Sequence, residues 1–588
     1  MFVNEQRAVE QNIREYLNNQ EIPEPAEIPW NSIPFSGSWG ISTPCFPLAA
    51  QEARAGKKIN VPQRAQEIAS GLAGHLGLPD GFSRVEAVKG YLNLYYSPNT
   101  FSRRVVDHVL ESGPDYGRQP PLGKKVMVEY SNPNTHKAFH VGHLRSAILG
   151  ESLARILDFA GYDVVRANYI GDMGLHVIKW LWNYMRSHMG EKPPENTTSW
   201  MGDLYSEAVQ RLENDPELEI EVRELYTRWD QRDPEVVALW EETRQWSMDH
   251  FKEMYAILDI HFDRWYSNSE MEQPGKAVVQ QLIEEGIAED ERSIDGPVIV
   301  RIDQKLGLEK EKFRVLVVLR SDGTALYATE DLALAIRKFQ DYQLESSIYI
   351  VDVRQSLHFQ QVFKTLEIAG YPWADRSRHL PYEVVNLPGN VVMASRDGTI
   401  VLLELLIDEA VQRAKQTVEE KNPSLSEEQK EAVADAVGLG ALKYPMLARD
   451  NAKIVTFDWQ SALDFNGQAA PYIQYAHVRA NSILRRMEKP LAGSGSNDHQ
   501  LAEAEIQLID TISRFPNEVQ RAAEEYKTLH ITNLAFELAR DFNDFYRNCP
   551  VLKAEPELRA YRLRLVAAAR QTIANALNLL SIQAPDVM

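Results

Sequence analysis

The chain has 588 residues, of which 44% are hydrophobic and 25% charged, a composition typical of globular proteins with more than one domain. Its formal net charge of −21 argues against a protein that coats nucleic acid nonspecifically, because such proteins carry a basic balance, yet it allows local basic surfaces. No apolar run is long enough to cross a bilayer and the start lacks a signal-peptide pattern, so we expect a cytoplasmic protein without a membrane segment.

Residues 1–118 are predicted to form a small α+β unit. A helical start is followed by a Pro-, Gly- and Ser-rich stretch, a helix near 62–75 and an alternating polar and apolar run at 91–97. The segment 113–123 is dense in glycine and proline, which predicts a linker at the end of this unit.

From Lys124 the pattern changes to the strand, loop, helix, strand rhythm of a parallel α/β sheet. KKVMVEYS at 124–131 and YDVVRANYI at 162–170 are predicted strands, and the apolar residues between them have helical spacing up to Gly161, a predicted helix C-cap position. Residues 183 to about 262 are helical and charged without a strand pattern, which predicts an insertion. Strand and helix alternation then resumes with GPVIVRI, FRVLVVLR and SSIYIVDV.

The last third of the chain is predicted to be a helical bundle. From about Glu404 onward the pattern is almost wholly helical, without a solenoid repeat. We therefore divide the chain into an α+β domain at 1–118, an α/β domain at 119–455 with the insertion, and an all-α domain at 456–588.

A nucleotide-binding pattern follows the first strand of the α/β domain. The string EYSNPNTHKAFHVGHLR at 129–145 is a strand end, a polar loop and the first turn of a helix. His140 and His143 share one face of that turn, where unpaired backbone N–H groups favour an anion such as a triphosphate. Gly142 between them lets a nucleotide lie close to the backbone.

These residues resemble a known family. HVGH at 140–143 resembles the HIGH motif of class I aminoacyl-tRNA synthetases, and SNPNTHKAFHVGHLRSAILG is similar to the arginyl branch. Further blocks that look like that branch follow in family order: NYIGDMG, DGTALYATEDLALA, VDVRQSLHFQQVF, GQAAPYIQYAHVRANSILRR, DFNDFYRNCPVL and the terminal APDVM.

The resemblance implies a fold and a reaction. The expected fold is a Rossmann-type class I catalytic domain with a helical insertion, an N-terminal domain that meets the tRNA elbow and a C-terminal anticodon-binding bundle. The expected activity is ligation of L-arginine to the 3′ end of tRNA(Arg) with Mg²⁺-ATP as substrate, by a monomer. The two cysteines, Cys45 and Cys549, lack zinc or disulfide spacing, so we expect no metal in the protein and two buried thiols.

The second motif of the family is degenerate in this chain. The string VVMASRDG from Val391 stands where class I enzymes carry KMSKS, so Val392 and Ser395 replace its two lysines. The resemblance maps charge stabilisation onto Lys137 and Arg396 beside the two motif histidines. The remaining residues that it assigns to ATP binding are Gly171, Asp172, Met393 and Ser395, with His140, Gly142 and His143.

The arginine pocket is expected to contain buried acids, because a guanidinium is best recognised by carboxylates in bidentate geometry. The resemblance maps this role onto Glu129 and Asp331, with Tyr327 nearby. Asn134 and Gln355 are expected to hold the amino-acid end of the substrate. One residue departs from the pattern: Glu330 stands where many relatives have arginine, and the sequence offers no physical account of it.

Contacts to tRNA are expected on the last third of the chain. The resemblance and the basic and aromatic pattern together select Tyr472, Tyr475, Arg479 and Arg485. A second basic cluster lies at 559–570, and ordinary solvated helix faces are an equally good interpretation of either cluster taken alone.

Three other functions compete with this prediction. A synthetase for glutamate is disfavoured by the acidic pocket, and one for cysteine by the missing zinc ligands. A nucleotidyltransferase with the same histidine motif needs no anticodon-like bundle. A catalytically weak paralogue that binds tRNA or a partner rests on the degenerate second motif alone.

Overall fold

The N-terminal part of the chain forms an antiparallel sheet flanked by helices. The structure is a computed structural model that describes residues 2–33, 37–55, 58–139, 141–387, 391–392, 402–487 and 499–588. The sheet has the strand order β1-β2-β4-β3, which confirms the predicted α+β unit. Its elements are α1 (Val3–Asn19), β1 (Asn31–Ser32), β2 (Gly40–Pro44), α2 (Phe46–Arg54), α3 (Val61–Leu76), β3 (Phe82–Val88), β4 (Tyr91–Tyr96) and α4 (Pro98–Ser112).

The middle of the chain alternates strands with helices around one parallel sheet. Its elements are β5 (Lys125–Glu129), α5 (Val141–Phe159), β6 (Asp163–Ile170), α6 (Leu175–Asn183), α7 (Thr197–Asn214), α8 (Glu219–Asp230), α9 (Pro234–Ile257), β7 (Arg264–Ser267), α10 (Asn268–Glu284), β8 (Glu289–Asp290), β9 (Val298–Arg301), α11 (Ile302–Lys305), β10 (Val315–Leu319), α12 (Tyr327–Tyr342), β11 (Ser346–Asp352), α13 (Ser356–Ile368), β12 (Ser377–Tyr382), β13 (Val385–Leu387) and β14 (Val391–Val392).

The parallel sheet has the strand order β12-β11-β5-β6-β7, and each neighbouring pair is parallel. The strand order changes direction at β5: β6 and β7 follow on one side of it, and β11 and β12 lie on the other side. Ligands bind at such switch points, outside the carboxyl ends of the strands. The Rossmann-type fold expected for the catalytic domain is confirmed.

Two of the predicted strands belong to a different sheet. GPVIVRI and FRVLVVLR do form β9 and β10, but these strands pair antiparallel in a separate three-stranded sheet with β8, so their assignment to the parallel alternation is wrong. The reason is visible in β10, where Val315 and Val317 are exposed while Leu316 and Val318 are buried. One solvated face is compatible with an antiparallel sheet and not with a parallel sheet covered on both sides.

The helices α7 to α9 form the predicted insertion, and they pack with the preceding α6 around a tryptophan-rich core. Trp180, Trp182, Trp229 and Trp240 are buried in this cluster. The indole N–H of Trp240 donates to the carbonyl of Asp172 at 2.8 Å, which joins the insertion to the end of β6.

The last third of the chain is helical, as predicted. It comprises α14 (Leu403–Lys421), α15 (Glu427–Leu447), β15 (Val455–Thr456), α16 (Trp459–Ala462), α17 (Ala470–Arg485), α18 (Glu503–Glu525), α19 (Leu529–Asn548) and α20 (Pro556–Leu579). The short strand β15 pairs with β13 and so ties this part to the segment that leads to the second motif. No helix in the described ranges is long and apolar enough to span a membrane. Cys45 and Cys549 are both buried free thiols, as expected.

Candidate functional site

The candidate site lies where three parallel strands end side by side. β5 ends at Glu129, β6 at Ile170 and β11 at Asp352. The loops that follow β5 and β6 are joined by a parallel bridge between Asn134 and Gly171. A Cβ atom on Gly171 would collide with the side-chain oxygen of Asn134, so glycine is required for this close approach.

The loop of the first motif is held by hydrogen bonds to β6. The backbone N–H of Asn132 donates to Asn168 Oδ1 at 3.1 Å, and Asn132 Oδ1 accepts from the N–H of Tyr169 at 3.1 Å. Ser131, Asn132 and His136 all have positive φ. Such backbone costs free energy and persists only where the surroundings fix it, a feature concentrated at functional sites.

The two motif histidines are only partly described. His140 lies outside the described residues. His143 lies in the first turn of α5, half-buried, with its ring centroid 5.3 Å from that of Phe139. Gly142 shares that turn. Met393, Ser395 and Arg396 of the second motif also lie outside the described residues.

Lys137 precedes the helix and is half-buried. Its ammonium group lies 5.2 Å from the ring centroid of Tyr205 on α7, and burial lowers the pKa of this lysine below its usual range. A partly desolvated ammonium next to the motif turn is suited to stabilising developing phosphate charge.

Glu129 is an interior carboxylate with its own cation. It is 1% exposed, and the ammonium of the fully buried Lys338 on α12 donates to Oε2. Asn132 Nδ2 donates to Oε1 at 3.2 Å, and the Lys338 ammonium lies 3.8 Å from the ring centroid of Tyr349. Both carboxylate oxygens therefore already have donors within the protein.

Asp331 is the second predicted acid of the arginine pocket. It lies on α12, where its Oδ2 is 2.5 Å from Nε2 of His358 on α13. Its side chain keeps 14% of its surface exposed. Tyr327, at the start of α12, is 64% exposed, and Gln355 is exposed at the end of β11.

Glu330, the residue without a sequence account, is buried beside Asp331. It is 8% exposed, and its Oε2 accepts from Asn268 Nδ2 and, at 3.5 Å, from the Tyr169 hydroxyl. Burial, reinforced by the neighbouring Asp331 carboxylate, raises the pKa of Glu330 to about 8. The group is therefore a carboxyl that is mostly protonated at neutral pH.

A cavity of about 570 Å³ lies beside Glu330, and its volume is in the usual range for small-molecule sites, roughly 300–1,000 Å³. It opens at the turn that follows β6 and is bounded by α8, α10 and the loop before α12. Its lining includes Gly174, Asn268, Glu272, Arg320, Tyr327 and Glu330.

Asp172 has a supporting position in this structure. Its side chain is fully buried, with Oδ2 accepting from Arg244 Nε and the Ser269 hydroxyl at 2.7 Å each. Oδ1 accepts from the backbone N–H of Ser269 at 2.9 Å. The carboxylate thereby holds α9 and α10 against the end of β6. Its predicted contact with ATP stays a prediction.

Sequence reasoning missed several residues that shape the site. Lys338, His358, Asn268 and Tyr169 supply donors to the acids, and each lies at or near a strand end or on α12 or α13. A further one is Arg145, which is fully buried and donates to the carbonyls of Glu383 and Lys453, so it joins α5 to the chain around β13 and β15. These residues could have been found only from the sheet topology, because the carboxyl ends of neighbouring parallel strands lie side by side.

The predicted tRNA-binding residues divide into two kinds. Arg479 on α17 lies between the rings of Tyr475 and Tyr546, 4.7 and 5.1 Å from their centroids, and both tyrosines are exposed. Tyr472 instead packs on Phe536 with centroids 5.4 Å apart, while Arg485 is exposed.

Two arginines of the second basic cluster form ion pairs within the protein. Arg562 is buried against Glu505, and Arg564 pairs with Asp107 on α4. These arginines hold the bundle together and to the N-terminal part. Among the described residues, no group of three or more His, Cys, Asp or Glu side chains is arranged to hold a metal ion.

Comparisons with known proteins identify relatives over the whole chain. The profile of the class I tRNA synthetase (R) catalytic domain matches residues 105–459, and that of the DALR anticodon-binding domain matches residues 473–588. An arginine–tRNA ligase of Alkaliphilus metalliredigens is 34% identical over 98% of this chain and 97% of its own length. One of Bdellovibrio bacteriovorus is 37% identical over 92% of this chain and 91% of its own length.

A solved structure of similar fold supports the same grouping. The Thermus thermophilus arginyl-tRNA synthetase has a TM-score of 0.77 and 28% identity, covering 99% of this chain and all of the other. The profile matches together span the α/β domain, its insertion and the terminal bundle.

Proposed function

The chain belongs to the arginyl-tRNA synthetases, class I enzymes that activate arginine with ATP and ligate it to tRNA, and from that premise we propose how its residues divide the work. The first motif binds and polarises ATP, the acids around α12 select arginine, and the terminal bundle binds tRNA. The observation that carries this proposal is the meeting, at the switch point of the sheet, of the buried acid Glu129 with the first-motif loop, which the bridge between Asn134 and Gly171 joins to the end of β6.

Activation proceeds by in-line displacement at the α-phosphate. The arginine carboxylate attacks, a bond forms to phosphorus, and pyrophosphate leaves with the Mg²⁺ that accompanies ATP as substrate. His140, His143 and Lys137 stabilise the charge that develops on the phosphate oxygens, and Arg396 adds a cation from the second motif. Transfer follows when the terminal ribose hydroxyl of tRNA attacks the adenylate carbonyl and AMP leaves. No side-chain nucleophile takes part.

Lys137 compensates for the two lysines that the second motif lacks. The proposal is supported by its position three residues before the motif and by its partial burial, since a desolvated cation interacts more strongly with phosphate charge than a solvated one. ATP contacts are completed by Gly142, Gly171 and the second-motif residues Met393 and Ser395, while Asp172 fixes the turn that carries Gly171.

Arginine lies with its guanidinium towards α12 and its amino-acid end towards the first-motif loop. Asp331 and Tyr327 contact the side chain, and Asn134 and Gln355 hold the α-amino and carboxylate groups. Glu129 contributes negative charge from beneath, while its ion pair with Lys338 fixes the position of α12 against β5.

The elbow of the tRNA contacts the N-terminal part of the chain, and the anticodon of the tRNA contacts the helical bundle. Tyr475, Arg479 and Tyr546 form an exposed set of rings around a guanidinium, a surface on which unpaired bases stack. Arg485 contributes positive charge that attracts the phosphates of the tRNA. Tyr472 supports this set of rings through its packing on Phe536. The enzyme acts as a cytoplasmic monomer.

The division of roles is tested by ATP–pyrophosphate exchange. Wild-type enzyme is expected to show exchange with arginine, ATP and tRNA together and almost none without tRNA. Asp331→Asn is expected to lose most arginine-dependent exchange while ATP binding, measured by equilibrium dialysis, survives. Unchanged arginine kinetics in this variant would remove Asp331 from the pocket.

A further inference from the structure

One face of the insertion helix α9 is hydrogen-bonded to both loops of the site. The four residues that form these bonds share one side of the helix by their spacing of i, i+3, i+4 and i+7: Trp240, Thr243, Arg244 and Ser247. The first and third of them donate to Asp172 in the turn after β6. The other two bond to His136 in the first-motif loop. The insertion therefore supports the first-motif loop and the turn after β6 directly.

His136 is the residue of the first-motif loop that α9 holds. It is fully buried, with Nε2 of its ring 2.8 Å from the hydroxyl oxygen of Thr243. Nδ1 lies 2.9 Å from the hydroxyl oxygen of Thr135, the preceding residue of the loop. The backbone N–H of His136 donates to Ser247 Oγ at 3.1 Å. Both ring nitrogens and the backbone N–H of this residue therefore have partners.

The direction of the ring hydrogen bonds follows from the Thr243 hydroxyl, which donates its proton to the carbonyl of Leu239 at 2.9 Å. The oxygen of that hydroxyl then accepts, so Nε2 of His136 carries the ring proton and Nδ1 accepts from Thr135. Burial lowers the pKa of His136 to about 3. The imidazole is therefore neutral at neutral pH and acts as a fixed link with one donor and one acceptor.

The backbone at His136 has an unfavourable conformation that these contacts hold. Its φ of +58° lies in the left-handed region, which residues other than glycine rarely adopt and which persists only where the surroundings fix it. The helix α7 packs against the same loop, since a Cβ atom on Gly202 would lie 2.9 Å from Ala138 Cβ. Lys137 lies between these two contact points, with its ammonium group 5.2 Å from the ring centroid of Tyr205 on α7.

We propose that His136 is a positioning residue for arginine activation, which fixes the loop that presents the Lys137 ammonium group to the phosphates of ATP. This inference rests on the proposed role of Lys137 and deepens it. A chain that lacks both second-motif lysines depends strongly on where the remaining cation lies, because a displacement of about 1 Å at a catalytic group can slow a reaction by ~10²-fold. His136 itself touches no substrate and acts only through its neighbour.

The test combines His136→Ala with Lys137→Ala and measures single-turnover adenylate formation with tRNA present. Misfolded enzyme lowers the amplitude of such a reaction and leaves its rate constant unchanged, so the rate constant reports on folded enzyme alone. His136→Ala is expected to lower the rate constant by ~10-fold or more, with KM for ATP within about threefold of wild type. In the Lys137→Ala background the same substitution is expected to cost less than about twofold, because the charge that it positions is already absent.

Thr243→Val is the second variant, in case His136→Ala fails to fold. It removes the acceptor for Nε2 of His136 while keeping the side-chain volume, and it is expected to lower the rate constant by ~threefold or more. His188→Ala is the matched control, because His188 also bonds through both ring nitrogens, to Glu191 and Glu207 within the insertion. This control is expected to keep the wild-type rate constant.

A slow His136→Ala whose effect largely disappears in the Lys137→Ala background supports the proposal. The proposal is overturned if His136→Ala and Thr243→Val both stay within about twofold of wild type, or if the effects of His136→Ala and Lys137→Ala multiply in full. A Lys137→Ala rate within about threefold of wild type overturns the role of Lys137 and this inference with it. If wild-type enzyme shows no arginine-dependent exchange at all, the proposed function itself fails instead.

Discussion

Lys338 and Glu129 form an ion pair in which both side chains are buried, the lysine at 0% and the glutamate at 2% side-chain exposure. The pair joins α12 to the carboxyl end of β5, the two elements that carry the acids of the proposed arginine pocket. Removing one partner of such a pair leaves an uncompensated charge in the interior, which costs more than the pair contributes.

Lys338→Met is therefore expected to destabilise the protein by ~3–5 kcal/mol. The double variant with Glu129→Gln is expected to recover much of the loss, because it removes the orphaned charge. Thermal unfolding of the wild type, the two single variants and the double variant measures the coupling. Additive effects of the two substitutions would contradict a direct ion pair.

The proton on Glu330 predicts a pH-dependent cost to stability. Burial raises the pKa of Glu330 from 4.5 to about 8, so between these pH values the native state holds a proton that the unfolded chain has lost. Stability falls as pH rises through that window and is lowest above pH 8. Glu330→Gln removes this cost and is expected to raise the unfolding temperature more at pH 8.5 than at pH 4.5, by a gain on the order of 4 kcal/mol in the free energy of unfolding. An equal shift in unfolding temperature at both pH values would assign the effect to packing.

Lys137→Ala is expected to slow adenylate formation by ~10²-fold or more, as for the loss of one transition-state electrostatic contact. ATP binding is expected to weaken much less, because the contact strengthens only as charge develops. Single-turnover adenylate formation with tRNA present measures the rate. A rate within about threefold of wild type, together with a severe defect in Arg396→Ala, would transfer the role to the second motif.

The stacking platform on the bundle predicts a selective loss of tRNA affinity. Tyr546→Ala removes one of the two rings beside Arg479 and is expected to weaken tRNA binding by ~1–3 kcal/mol, the range for loss of one base stack. Tyr546→Phe keeps the ring and is the matched control. Filter binding at two salt concentrations checks the effect, and equal affinity of the alanine variant and wild type would exclude this platform from the tRNA interface.

The sequence predicted the parts of the fold that depend on local pattern. The strands and helices from Lys124 to Gly161 follow from alternation and helical spacing, and the tryptophan-rich insertion follows from the lack of strand pattern. The sheet to which β9 and β10 belong was not predictable, because membership depends on which faces other elements cover. The exposed Val315 and Val317 hold that information only once the neighbours are known.

The sequence motifs of the site could be recognised, but the residues that support these motifs could not be predicted. The resemblance of local strings selects Asp331 and Tyr327, and their role in arginine binding stays a prediction. Lys338 as the counter-ion of Glu129 joins positions 209 residues apart, which no local pattern encodes. The hydrogen bonds of Glu330 likewise come from Asn268 and Tyr169, which two other elements bring next to it.

The most direct test of the whole account is charging of a total tRNA pool with each radiolabelled amino acid in turn, using the full-length enzyme, ATP and Mg²⁺. The account predicts that arginine is attached to tRNA and that lysine, glutamate and the other amino acids are not. Charging of another amino acid at a comparable rate, or tRNA binding without any charging, would contradict it.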